Sequence, residues 1–315
     1  MTNYQITQST AGAVVARDLS TLTASWLEYN ADKSPCTIRA YAQAIRNFLE
    51  WLKSNGYKNP DRKIVINYRN KLCSDKSVAT ARLYLAAVKT FSKWLVSNGL
   101  YPVDFAANVK LPSLDEEGEV HKRDSLTLPE VKSVLGAMTG ASEKSIRDRL
   151  VMQIMAHCGL RTCEICRLDV RDIEQRHGKT FLLVTGKGRH SKARVELPKK
   201  LYQELRNYLT QRGAKKGEPM FRSVANRNFG ARLQTQTLSR LAKSTLRTVG
   251  IDSPRVSAHS LRHSFATLLL KDCSVDLRRV SRLLRHKSTQ VTEVYLHDLE
   301  ESEDVSIEKL AALIG

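Results

Sequence analysis

Between Leu111 and Ser125 the chain passes through Pro112, Asp115, Glu116, Glu117, Gly118 and Glu119, with no apolar period from which to build a core element. Such a stretch reads as an exposed, extended connection. It obliges the chain to fold as two bodies, 17–112 and 126–315, joined by a linker at 113–125. Residues 1–16 are polar and aperiodic and read as a loose arm. The second body opens on Thr127-Leu128-Pro129-Glu130, a Thr/Glu capping box with Pro in the first turn of a helix.

Helical spacing of apolar residues dominates both bodies. In the first it predicts helices at 17–29, 37–54, 61–74 and 78–97. Ile38, Tyr41, Ile45, Phe48 and Leu52 form one stripe, and Leu85, Val88, Phe91 and Leu95 another. Two of these helices end alike, in Trp51-Leu52-Lys53-Ser54-Asn55-Gly56 and Trp94-Leu95-Val96-Ser97-Asn98-Gly99. Asn-Gly after a periodic run stops a helix, because Gly accepts the left-handed conformation. Shared cap chemistry explains the similarity more cheaply than an internal repeat. In the second body helices are predicted at 145–158, 162–168, 199–211, 235–249, 258–270, 276–284 and 289–295. Two β-like runs, 181–185 and 193–197, flank a Gly-rich basic loop, 186–192. The expected fold is mainly α with a small antiparallel β-sheet. A last apolar segment, 306–314, is too short to be stable alone and should dock on its own body or on a neighbour.

The formal net charge is +19, with 51 Lys and Arg against 32 Asp and Glu. Residues 1–112 carry 15 basic and 7 acidic residues, and the remainder carries 36 and 25, so both bodies are positive. An excess of this size attracts a polyanion and makes binding salt-sensitive. In the first body Arg39, Arg46, Lys53, Arg82, Lys89 and Lys93 lie on helices and are candidates for phosphate contacts, which give affinity without reading sequence. No run approaches the ~20 apolar residues of a membrane helix, and the first 15 residues do not have the pattern of a secretory signal. A cytoplasmic protein with no membrane partner is expected. The six cysteines then read as free thiols. Cys163 and Cys166 form a C-x2-C pair near Cys158, but no second ligand pair of matching spacing accompanies them, so no metal is expected.

Breaking a phosphodiester while keeping its bond energy requires a side-chain nucleophile that becomes esterified to the phosphate. A Tyr oxygen suits that task. The negative charge gathered in the transition state calls for Arg, whose planar fork binds two oxygens and never loses its proton. The leaving oxygen needs a proton, which Lys or His supplies. Such a set is visible in the chain. Arg161 lies between two predicted helices in Gly159-Leu160-Arg161-Thr162-Cys163-Glu164. Lys187 lies at the hairpin tip, in a Gly-Lys-Gly run that lacks the spacing of a P-loop. His259 and Arg262, spaced i,i+3, share one helix face. His286 follows Arg285, and Tyr295 comes nine residues later.

These motifs, in this order and with these separations, resemble the tyrosine recombinases of the Xer and phage-integrase type. The match is carried by Gly-Leu-Arg-x-x-Glu at 159–164, Gly-Lys-Gly at 186–188, His-x-Leu-Arg-His at 259–263, and His-Lys-Ser-Thr followed by Tyr at 286–295. It extends over roughly 18–315. The resemblance implies a SAM-like core-binding domain in front of a catalytic domain. It implies that Tyr295 attacks the scissile phosphate to form a 3′-phosphotyrosine, that Arg161 and Arg262 clamp the non-bridging oxygens, and that Lys187 protonates the departing 5′-oxygen. His259 and His286 assist by hydrogen bonding, and Glu164 orients Arg161. No cofactor is implied. The implied partners are double-stranded DNA and three further copies of the chain, assembled on paired sites through a Holliday junction, with a second recombinase or accessory factor as a possible addition. Segment 306–314 is implied to dock on the next protomer. One departure stands out: the family commonly has Gly where this chain has Arg285, which is expected either to touch DNA or to reflect a relaxed turn. A type IB topoisomerase or a catalytically silent DNA-binding regulator would share some of these residues. The terminal apolar segment and the motif spacing favour the recombinase over the first, and the complete nucleophile set favours it over the second.

Overall fold

The computed structural model describes residues 19–113, 124–186 and 191–285. Lys187, His286, Tyr295, the arm 1–16, the helix expected at 289–295 and the segment 306–314 lie outside the described residues. The chain divides into two compact units between Gly118 and Glu119.

The first unit is built from α1 (Leu19–Tyr29), α2 (Pro35–Ser54), α3 (Arg62–Asp75) and α4 (Val78–Ser97). Each start after α1 is fixed by a side chain that accepts an otherwise orphaned N–H: Ser34 from Thr37 at 3.1 Å, Asp61 from Ile64 at 2.8 Å, Ser77 from Thr80 at 3.4 Å. The two Asn-Gly stops are the same device used twice. Asn55 and Asn98 each turn their Nδ2 back to a Trp carbonyl four residues earlier at 2.8 Å, and Gly56 and Gly99 follow with φ of 70° and 65°. The apolar stripes meet in one core around Trp26, Ile45, Phe48, Tyr68, Leu85, Val88 and Phe91. Trp26 stacks on Tyr41 at 5.4 Å and meets Phe91 edge-on at 5.3 Å, which adds geometry to the burial.

In the second unit α5 (Leu128–Gly136), α6 (Glu143–Cys158), α7 (Thr162–Arg167), α8 (Lys199–Gln211), α9 (Thr235–Thr248), α10 (Ala258–Lys271) and α11 (Leu277–Leu284) surround a sheet of three antiparallel strands in the order β1-β2-β3. The strands are β1 (Ile173–Arg176), β2 (Lys179–Thr185) and β3 (Lys192–Leu197). Helix α6 is buried on most of its circumference and packs against α5, α8, α9, α10 and β3, so it is the axis of this unit. The capping box expected at Thr127 and Glu130 is present. Leu182, Val184, Val195 and Leu197 point from the sheet into the core, while Arg194 pairs with Glu174 and Lys179 with Glu196 on the exposed face. The hairpin register brings Thr185 opposite Lys192, and Lys192 is anchored to the buried Asp172. This sets the stem of the loop that carries Lys187.

Candidate active site

Arg161 owes its place to Gly159. Helix α6 ends at Cys158, and Gly159, at φ 58°, closes it by donating its N–H to Met155. A Cβ at that position would lie 2.5 Å from the Phe265 ring, so only Gly allows α6 and α10 to approach so closely. The chain turns, and Arg161 becomes the N-cap of α7. Glu164, the third residue of that helix, reaches back to the Arg161 N–H with Oε2 at 2.9 Å and to the Arg161 Nη1 with Oε1 at 3.0 Å.

Three guanidinium groups from three segments face this one carboxylate. Arg161 comes from the α6–α7 turn, Arg262 from α10 at 3.9 Å, and Arg285 from the end of α11 at 2.8 Å. Glu164 has no solvent exposure. Burial pushes its carboxyl up. Arg285 foremost, then the Arg161 N–H and the Arg262 and Arg161 guanidiniums, more than reverse that and hold it below the usual carboxylate range. The cluster therefore contains three positive charges and one negative, an excess that suits an anion.

Arg262 is 1% exposed. Its Nη1 donates to the Gly159 carbonyl and its Nη2 to the Leu284 carbonyl at 2.5 Å, so a single side chain bonds the ends of α6 and α11. His259, one turn earlier on α10, is exposed. It lies beside the cap residue Ser257, where the helix dipole is positive. Its ring meets that of the buried His263 edge-to-face at 4.9 Å. The structure thus gathers Arg161, Glu164 and Arg262, separated by up to a hundred residues, and places His259 on the same helix as Arg262. Lys187, His286 and Tyr295 lie outside the described residues.

Arg285 departs from the expectation that it faces DNA or merely relaxes a turn. Its side chain is 7% exposed and turned inward to Glu164, with Nη1 also on the Leu283 carbonyl at 2.8 Å. Its backbone is left-handed, φ 58° and ψ 39°, a conformation that costs a non-Gly residue roughly 1–2 kcal/mol. The sequence signal for this residue is the departure from Gly at a helix stop; nothing in the sequence gives the direction of the side chain.

Among the six candidate phosphate contacts of the first unit, Arg39, Arg46, Lys53 and Lys93 are exposed. Arg82 and Lys89 are half-buried and tie α4 to the following segment through the carbonyls of Pro112 and Val109. The thiols of Cys158 and Cys166 are pushed up to about 12, with burial the leading cause, so neither is a nucleophile near neutrality. Among the described residues no cluster of His, Cys, Asp and Glu could hold a metal ion, and no helix is long and apolar enough to cross a membrane.

Residues 124–302 match the phage integrase family, and residues 25–99 match the phage integrase N-terminal SAM-like domain. Tyrosine recombinase XerA of Pyrococcus furiosus is 32% identical over 281 residues, covering 86% of this chain and 86% of the relative. Its namesake from Thermococcus kodakarensis is 29% identical over 288 residues, covering 84% and 85%. Among solved structures, the XerH site-specific recombinase bound to palindromic difH substrate superposes with a TM-score of 0.71 at 21% identity, covering 93% of this chain and 84% of that one. A lambda integrase tetramer bound to a Holliday junction gives 0.66 at 16% identity, with 88% and 76% covered. These two likenesses concern the fold.

Proposed function

The chain belongs to the phage integrase family of tyrosine recombinases, and from that premise we propose that it cuts and rejoins duplex DNA at specific sites through a phosphotyrosine formed on Tyr295. The observation that carries the reading is the convergence of Arg161 and Arg262 on the buried Glu164. Two of the family's motif residues, from distant parts of the chain, face one carboxylate in a cluster of net positive charge.

The reaction proceeds as a balanced exchange of esters. The Tyr295 oxygen gives its proton to a histidine of the site, His259 or His286, as it attacks phosphorus. A P–O bond to tyrosine forms as the bond to the 5′-oxygen breaks, and Lys187 delivers a proton to that oxygen. Arg161 and Arg262 carry the charge that develops on the non-bridging oxygens, a preorganised electrostatic role. His259 and His286 add hydrogen bonds there. The ester energy is kept, so attack by a 5′-hydroxyl from another strand reverses the step and completes the exchange. The charge work is done by guanidinium groups, and the reaction is expected to run without added metal or nucleotide.

Two sites must be cut for strands to be exchanged. We assign to the chain a homotetrameric complex on paired duplex sites, supported by the lambda integrase tetramer among its structural neighbours, and a cytoplasmic location. The test uses nicked suicide duplexes in EDTA with the full chain. A covalent protein–DNA adduct should form with the wild type and be absent with Tyr295→Phe. An adduct that appears only with magnesium, or that survives Tyr295→Phe, would overturn the mechanism.

A further inference from the structure

We propose that Arg285 is a positioning residue: from the turn after α11 its guanidinium occupies one oxygen of Glu164, and so holds the Arg161 fork open towards the phosphate. This rests on the reading that Arg161 contacts the reacting phosphate. The geometry divides the carboxylate in two. Oε2 accepts the Arg161 N–H at 2.9 Å and the Arg285 Nη2 at 2.8 Å. Oε1 is left to the Arg161 guanidinium, which binds it through Nη1 alone at 3.0 Å. Among the described residues the Nε and Nη2 of Arg161 have no hydrogen-bond partner, and its side chain is 26% exposed.

An Arg facing a free carboxylate prefers the two-point, fork-to-fork arrangement. With Oε2 filled by Arg285, that arrangement is blocked, and two donors of Arg161 remain for an incoming anion. Without Arg285, Glu164 can draw Arg161 into a closed pair directed away from solvent.

A merely structural role explains Arg285 poorly. A helix stop of this hand is met without strain by Gly, and Arg pays for it in backbone conformation. Its Nε is buried and has no acceptor among the described residues. A fully satisfied anchor would not be built this way. What the residue gains is one contact with the carboxylate that also holds Arg161.

The experiment compares the full-length wild type with Arg285→Gly, Arg285→Asn and Arg285→Lys. Gly and Asn both accept the left-handed turn, and Lys keeps a charge near Oε2. The probe is a nicked suicide duplex obtained from a randomised library by covalent capture with the wild type. Arg285→Gly and Arg285→Asn should lower the single-turnover rate of adduct formation at saturating DNA by at least about tenfold, with Kd nearly unchanged, the pattern of an interaction used only in the transition state. Tm should be little changed, because relief of the left-handed backbone offsets the ion pair lost at Glu164. Arg285→Lys should recover most of that rate. The proposal is overturned if Gly and Asn leave the rate within about twofold of wild type, since that is a negligible barrier change. It is equally overturned if the loss tracks Kd or Tm, if Lys is as slow as Gly, or if neither Gly nor Asn folds. A wild type that captures no duplex removes the recombinase premise itself, and the proposal with it.

Discussion

Glu164 is a lone negative charge, fully buried and faced by three guanidiniums. A buried pair of this kind adds little over an apolar replacement, but removing one partner strands the others. Glu164→Gln keeps the shape and leaves Arg285 and Arg161 without their counter-ion. It should lower the unfolding free energy by roughly 3 kcal/mol in urea denaturation. A change below the error of the measurement would mean that the arginines find other partners. The pH dependence has a definite sign. The Glu164 carboxyl is held below its ordinary range in the folded chain, so its contribution to stability is complete above the unfolded carboxylate range and is lost as pH falls through the lowered folded value. Glu164→Gln should remove that acid limb, and its Tm difference from wild type should shrink towards low pH. Arg262 makes a separate demand. Its fork spans two carbonyls, those of Gly159 and Leu284, and a Lys point charge cannot satisfy both. Arg262→Lys should therefore reduce the adduct rate by about a hundredfold or more, since Lys keeps a charge but loses the forked donors and the position that aim it. A rate near wild type would remove Arg262 from the reaction.

The α6–α7 turn concentrates several demands in a few atoms. Gly159 ends α6, lies against Phe265 of α10, and offers its carbonyl to Arg262. Gly56 ends α2 with a similar φ but has open space where a Cβ would go. Gly56→Ala should cost about 1 kcal/mol from the left-handed backbone alone, and Gly159→Ala about 3 kcal/mol or more, because the ring must also move. Urea titration of the two variants separates strain from packing, and equal losses would mean that the ring yields freely. The turn also marks how far the sequence could be read. Caps and periodicity placed most helices to within two residues, because the Thr127–Glu130 capping box announces a start and Asn-Gly announces stops. Strand β1 was not anticipated: Ile173 is its only apolar residue, and no alternation distinguishes four residues on a sheet edge. In the site, Arg161, Glu164 and Arg262 were recognisable as motif residues. The bond from Arg262 to the Gly159 carbonyl and the inward course of Arg285 were not, because spacing along a chain carries no information about which way a side chain leaves a left-handed turn.

Charge acts at the scale of the whole chain. A net +19 spread over both units gives an affinity for duplex DNA dominated by counterion release, so log K should fall linearly with log salt at about 0.9 per phosphate neutralised. Lys and Arg do not contribute equally to that slope. Arg39, Arg46 and Lys53 recur every seven residues along α2 and are exposed, so they form a single stripe. Arg82 and Lys89 also lie seven apart, on α4, but their side chains are spent on the carbonyls of Pro112 and Val109. The two pairs should respond differently to the same substitution. Arg46→Ala with Lys53→Ala should reduce the salt slope by about 2, lower affinity at every salt concentration, and leave Tm unchanged. Arg82→Ala with Lys89→Ala should lower Tm, with a smaller change in slope, because each loss frees a part-buried carbonyl as well as a charge. Fluorescence anisotropy across a salt series, paired with thermal melts of the free protein, measures both quantities. If the α2 pair leaves the slope intact, that stripe is a solvated face and the phosphate contacts of the first unit lie elsewhere.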